Sequence, residues 1–198
     1  MFIELTDHLR CTADHPESFL VLLPDAMDGR RVATGSLGCP RCGQVYRIDQ
    51  GSLDLGGAGP SSGPTRLTPE AVAAFLGLQG PGGYVAIFGG LGESAGLAGS
   101  LPGIRLVLVN PLATVADSEQ CSVVRSGRSP LKARSMRAVV VSADHGGDPA
   151  WVEAAIDAVL PGNPLIVEGP PSARPDLEVV ASMPGLWVAR KATGSRRP

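Results

Sequence analysis

Apolar and polar positions change rhythm near residue 65. Before it, apolar runs are short and broken by turn residues. Ser18 to Leu23 (SFLVLL) has the length of a strand, and residues 29 to 37 supply a second strand and a turn. Gln44 to Ile48 alternates polar with apolar, as a half-buried strand does. After residue 65 the runs become continuous: Tyr84 to Phe88 (YVAIF), Ile104 to Val109 (IRLVLV), Ala138 to Ser142 (AVVVS) and Leu165 to Glu168 (LIVE) read as buried strands. Thr68-Pro69-Glu70 opens a helix through about Leu78, and Asp148-Pro149 caps another through Leu160. Leu177 to Ala181 and Leu186 to Ala189 read as two closing strands around Pro184-Gly185. Continuous apolar strands alternating with helices predict an α/β fold, with a short Rossmann-like, mainly parallel sheet flanked by helices. A small β ribbon precedes it.

The expected organisation is a ribbon over 1–55, a Gly/Ser/Pro linker over 56–66, a Rossmann-like domain over 67–190 and a basic tail over 191–198. Gly56 to Pro64 (GGAGPSSGP) reads as flexible, because only Ala58 could join a core.

Composition narrows the classes. Of the 198 residues 43% are hydrophobic and 18% charged, enough to bury a core. Seventeen basic against nineteen acidic side chains leave a net charge of −2, which argues against a broad nucleic-acid-binding face. The basic run Arg190, Lys191, Arg196 and Arg197 reads as a solvated end. Glu4, Asp7, His8 and Arg10 interrupt any signal-like apolar run, and no stretch approaches the ~20 apolar residues that span a bilayer. A cytoplasmic protein without a membrane partner is expected. Its thiols are then reduced, and paired cysteines point to metal before disulfides.

Cys39-Pro40-Arg41-Cys42-Gly43 is a tight knuckle that sets two thiolates two residues apart. Zinc needs a second pair to complete a tetrahedron, and Cys11-Thr12-Ala13-Asp14-His15 offers a thiol and an imidazole. The expected metal ligands are Cys11, His15, Cys39 and Cys42. His8 and Asp14 compete for the fourth place; an imidazole is the commoner partner of three thiolates, which favours His15. So small a sheet buries little surface, and the metal would hold it together.

The stretch Cys39-Pro40-x-Cys42-Gly43-x-x-Tyr46-x-Ile48-x-x-Gly51 resembles the zinc-ribbon subunit that activates tRNA and release-factor methyltransferases, and Leu5-x-x-x-Leu9-x-Cys11 fits the same pattern. The resemblance implies a structural zinc and an apolar face that packs on a methyltransferase fold or another protein. That family's first ligand pair usually reads as two close cysteines, where this chain has Cys11 with His15 or Asp14.

Gly89-Gly90-Leu91-Gly92-Glu93-Ser94-Ala95-Gly96 directly follows the first continuous strand, and Gly90-x-Gly92-x-x-Ala95 fits a dinucleotide fingerprint. In order and spacing, residues 67 to 190 resemble a class I S-adenosylmethionine-dependent methyltransferase. The resemblance implies cofactor contacts at Gly90, Gly92 and Asn110. Yet Phe88 stands about where the family's first acid falls, Asn110 replaces the ribose-binding acid, and Ser142-Ala143-Asp144-His145 replaces an Asn-Pro-Pro-Tyr-like motif. A degenerate, non-catalytic domain is therefore expected, one that binds S-adenosylmethionine weakly or not at all. The expected role is a zinc-binding accessory protein with a protein partner; the alternative is an active methyltransferase. A nicotinamide-dependent enzyme fits less well, because Asn110 lacks the carboxylate for the ribose. Asp144 and His145 could form a catalytic pair, but a polar loop entering the next helix is the expected reading. Cys121 reads as a strand thiol, Trp151 and Trp187 as core-edge residues, and Glu93 and Ser94 either face a ligand or start a helix.

Overall fold

The computed structural model describes residues 1–57, 59–60, 65–91 and 94–193, the side chains of 94 and 95 excepted. A 3-10 helix, Ile3–His8, turns Leu5 and Leu9 inward. Strands β1 (Val21–Asp28), β2 (Arg31–Gly38), β3 (Val45–Asp49) and β4 (Ser52–Asp54) follow as an antiparallel meander. β1 starts later than the apolar run and continues to the hairpin turn, which Gly29 makes at φ +56°. In the β3–β4 turn Gly51 takes φ +77°, and a Cβ there would stand 2.5 Å from the Asp117 carboxylate. Only glycine fits both demands.

The second half begins with α1 (Pro69–Leu76), where the Thr68 hydroxyl accepts the Ala71 N–H and Gly77 closes the helix in the left-handed region. Then come β5 (Tyr84–Phe88), α2 (Ser94–Ser100), β6 (Arg105–Val109), β7 (Cys121–Arg125) and β8 (Ala138–Val141). The short α3 (Ala143–Gly146), α4 (Pro149–Ala158), β9 (Pro164–Val167), β10 (Leu177–Met183) and β11 (Leu186–Lys191) complete the chain. Lys191 is the buried last residue of β11, its ammonium donating to the carbonyls of Ile156 and Asp157. It belongs to the fold and not to the tail; residues 194–198 of the expected tail lie outside the described residues.

Among the described residues the eleven strands form one sheet in the order β1-β2-β3-β4-β7-β6-β5-β8-β9-β11-β10. Pairing is parallel from β4 through β9 and turns antiparallel at β11. The chain leaves β5 toward β6 and β7 on one side, then returns to place β8 and β9 on the other. This is the switch point of a Rossmann-like sheet. The ribbon joins through β4, whose Leu53 and Asp54 stand in register with Val124 and Arg125 of β7. One hydrophobic cluster holds Leu5, Leu9, Leu37 and Leu53 together with Phe88, Val124, Val141 and Trp151, so the two halves share a core on that face of the sheet. On the opposite face α1 and α2 cover Val85, Ile87, Leu106 and Leu108.

The expected linker is tied at both ends. The Gly56 carbonyl accepts the Gly127 N–H at 2.9 Å, while Glu168 accepts the Thr65 hydroxyl at 2.6 Å and the Arg66 N–H at 2.7 Å. Residues 58 and 61–64 lie outside the described residues. Trp151 and Trp187 are 4% and 1% exposed, deeper than a core edge.

Candidate metal centre and the crevice at the strand ends

The knuckle forms because Gly43, at φ +74°, returns its N–H to the Cys39 carbonyl at 2.9 Å, while the Cys39 N–H reaches Gln44. The turn points Cys39 and Cys42 toward the segment that follows the 3-10 helix. There the Cys11 N–H bonds to the Ser18 carbonyl, closing a loop that carries His15. Ligand atoms of Cys11, His15, Cys39 and Cys42 all lie within 4.8 Å of one another. Cys11 Sγ is 3.7 Å from Cys42 Sγ, and His15 Nε2 is 3.5 Å from Cys39 Sγ. A tetrahedral ion with zinc-like bonds of ~2.3 Å to sulfur and ~2.0–2.1 Å to nitrogen sets edges of roughly 3.8 Å and 3.6 Å. These two pairs already stand at such edges.

The surroundings suit a cation. His15 Nδ1 lies 2.7 Å from the Pro16 carbonyl, and an N–H donated there leaves the Nε2 lone pair facing the sulfurs. Burial opposes the Cys39 thiolate, but N–H groups of Cys42 and Arg41 and the neighbouring thiols outweigh it and bring Cys39 down to about 6. The Gln44 N–H favours the Cys42 thiolate, yet burial and the sulfurs of Cys39 and Cys11 push that thiol up. A second negative sulfur beside the first is unfavourable until a cation arrives. The two competitors stand apart from the cluster: Asp14 contributes no atom to it, and the His8 ring packs on Tyr84 at 4.8 Å between centroids.

Two further residues support the ligands. Tyr46 Oη lies 3.1 Å from Cys11 Sγ, and Thr12 Oγ1 lies 3.3 Å from Tyr46 Oη. Alternation along β3 places Tyr46 with Ile48 on the buried face, and a buried phenol needs a partner, so Tyr46 carried a readable signal. Thr12 carried none.

The second candidate region is the crevice at the carboxyl ends of β5, β6 and β8. Gly90 is buried just after β5, at the switch point; Gly92 and Glu93 lie outside the described residues, and Ser94 begins α2. Asn110 follows β6 at φ +53° and is 7% exposed. Its side chain pairs twice with Ser126, donating to the carbonyl and accepting the N–H, both at 2.8 Å. Its Nδ2 also lies 3.3 Å from His145 Nε2. Gly59 rests directly on this amide, where a Cβ would stand 2.6 Å from both Asn110 Cγ and the Ser126 carbonyl oxygen. Asn110 thus braces the β6 and β7 ends.

The loop after β8 is the short helix α3, and His145 points into the core with no exposed surface. Its ring stands edge-on to Trp151 at 4.6 Å, and burial pushes its imidazole down to about 4, against the carboxylates of Asp144 and Asp148. Ser142 Oγ and His145 Nδ1 are buried without a hydrogen-bond partner among the described residues, and both crowd the place a Cβ on Gly89 would take. Glu168, at the end of β9, accepts the Ala143 N–H at 3.3 Å. Polar residues at the ends of parallel strands are the signal by which Ser142 and Glu168 could have been singled out. Cys121 is a buried strand thiol.

No family model matches the chain, and no curated protein does either. Solved structures overlap with it. The antibiotic-resistance methyltransferase Kmr is 15% identical with a TM-score of 0.41, over 69% of this chain and 98% of that one. A second Kmr structure gives 16%, 0.40, and 67% and 98%. A Klebsiella pneumoniae protein assigned as an O-methyltransferase gives 14%, 0.39, and 56% and 73%. Overlaps this loose say nothing about activity. No helix among the described residues is long and apolar enough to cross a membrane.

Proposed function

We propose that the chain is a zinc-binding accessory protein in which the metal ribbon is built onto a non-catalytic, methyltransferase-like domain and serves a protein partner. The metal part rests on the donor set: three thiols and an imidazole gathered within 4.8 Å of one another, two of the pairs at tetrahedral edge lengths, with the histidine tautomer held by Pro16. Three sulfurs and one nitrogen suit zinc over magnesium or calcium, which take oxygen. With all four positions filled by side chains, the ion is a structural one.

The non-catalytic part is carried by Asn110. Where the resemblance calls for a carboxylate free to take ribose hydroxyls, this amide is engaged with Ser126 and His145 and lies under Gly59. A neutral amide so engaged offers no charge-assisted bond to a sugar. One observation favours the second reading, an active methyltransferase: Ser142 Oγ and His145 Nδ1 are buried without partners among the described residues, beside the Gly89 turn, where a ligand group could satisfy them. Calorimetry of the zinc-loaded chain separates the two. Heats at the level of dilution for S-adenosylmethionine and its demethylated product are expected. A low-micromolar dissociation constant abolished by Gly90→Val would overturn this reading and revive the enzyme one.

A further inference from the structure

Cys11 is the ligand nearest the junction of the two halves. Just before it, Leu9 bridges to Leu131, the Arg10 N–H donates to the Pro130 carbonyl at 2.8 Å, and the Lys132 N–H donates to the His8 carbonyl at 2.9 Å. A second path leaves from its sulfur: Cys11 Sγ to Tyr46 Oη at 3.1 Å, Tyr46 Oη to Thr12 Oγ1 at 3.3 Å, and Thr12 Oγ1 to the Leu55 carbonyl at 3.3 Å. Leu55 closes the step from β4 to β7, donating its own N–H to the Arg125 carbonyl at 2.8 Å. Thr12, Tyr46, Leu55, Gly57, Gly127 and Arg128 line one cavity of about 430 Å³ at this seam.

Counting protons gives the path a direction. Each hydroxyl carries one proton. A metal-bound Cys11 is a thiolate and only accepts, so the Tyr46 proton goes to sulfur and the Thr12 proton remains for Leu55 or Tyr46. We propose that Tyr46 is a positioning residue for Cys11, and that through Tyr46 and Thr12 metal occupancy is linked to the pairing of β4 with β7. The inference rests on the metal reading above. The ion then ties the ribbon to its neighbour as well as closing the knuckle.

Three chains test this at full length: wild type, Tyr46→Phe, and Thr12→Val, which keeps the shape and removes the hydroxyl. Zinc affinity is measured by chelator competition, the thiolate-to-metal band after cobalt substitution, and amide exchange with and without zinc. Tyr46→Phe is expected to lower zinc affinity about tenfold, the scale of an outer hydrogen bond to a metal ligand, and to shift the cobalt band. Zinc is expected to slow exchange at Leu55 and Gly127 in the wild type. Thr12→Val is expected to keep zinc affinity within about twofold while losing that zinc dependence, because the hydroxyl does not touch sulfur. Unchanged affinity and band in Tyr46→Phe, or seam protection that ignores zinc in the wild type, overturns this inference alone. Failure of the wild type to take up zinc overturns the metal reading with it.

Discussion

The ribbon and the parallel half are built of the same element, the strand, and cohere by different means. β5, β8 and β9 are buried at every position, and β6 at all but Arg105. Each Val, Ile or Leu so buried is stabilising by ~1.5–3 kcal/mol. β1 is exposed along nearly its whole length, and the far end of the ribbon gathers around three thiols and an imidazole. Cohesion is distributed over buried side chains in one region; in the other a smaller core that includes Leu5, Leu37, Ile48 and Leu53 is joined by one concentrated point, the cluster of thiols and imidazole. Removing a single group should therefore have unlike consequences in the two.

The largest effect is expected at the concentrated point. Cys39→Ser, or chelation of the wild type, should lower stability by on the order of several kcal/mol, since a structural ion's binding energy is folding energy. Phe88→Ala in the other half should cost ~3–5 kcal/mol whether or not metal is present; Phe88 has no exposed surface and meets Trp151 edge-on. Thermal melts of both variants with and without zinc check the contrast. Equal zinc dependence in the two would erase it.

That contrast also explains what could be read in the sequence. The knuckle was legible because a Cys-Pro-x-Cys-Gly turn carries its geometry in local spacing. β5, β6, β8 and β9 were legible as unbroken apolar runs. β7 was legible only at Cys121, read as a strand thiol, because Ser122 and Arg125 break the apolar run; the strand is completed by pairing with β6 and β4. The union of β4 with β7 rests on backbone groups about seventy positions apart, which leave no side-chain pattern. His145 was expected in a polar loop; its depth depends on Asn110, Trp151 and Phe88 converging on it, which no local rhythm reports.

Acid should sharpen the comparison. His145 titrates at about 4 in the fold against 6.5 when exposed. Between those values the unfolded chain takes a proton that the folded chain refuses, so stability falls as pH drops from 6.5 to 4 and levels off below. The loss should be on the order of 3 kcal/mol. Metal ligands must be deprotonated, so acid weakens the metal site as well. Denaturant titrations of His145→Leu and wild type at pH 7 and pH 4.5 isolate the imidazole: the wild type should lose more. Parallel losses would mean that His145 is not neutral in the fold.

The smallest effect concerns helix α4. The Asp148 carboxylate accepts the Ala150 N–H at 2.9 Å, and Asp148→Ala should cost ~1 kcal/mol without changing zinc affinity. Denaturation midpoints and chelator competition on the same sample check both halves of that statement.

The one sheet has two free margins, β1 and β10, and each is interrupted. Register breaks after Pro24 and again after Ala26 in β1, and between Val179 and Ala181 in β10. Straight backbone is left only from Val21 to Pro24 on one margin, and on the other in the stretches Leu177 to Val179 and Ala181 to Met183. Pro24 presents no N–H, and each bulge bends its strand away from a flat template. Those margins carry exposed Val21, Leu23, Val179, Val180 and Met183, a composition that would otherwise seed stacking between molecules. These breaks keep both margins from lying flat: deleting Asp25 or Val180 would remove one of them and lengthen the straight, apolar edge open to pairing with another molecule.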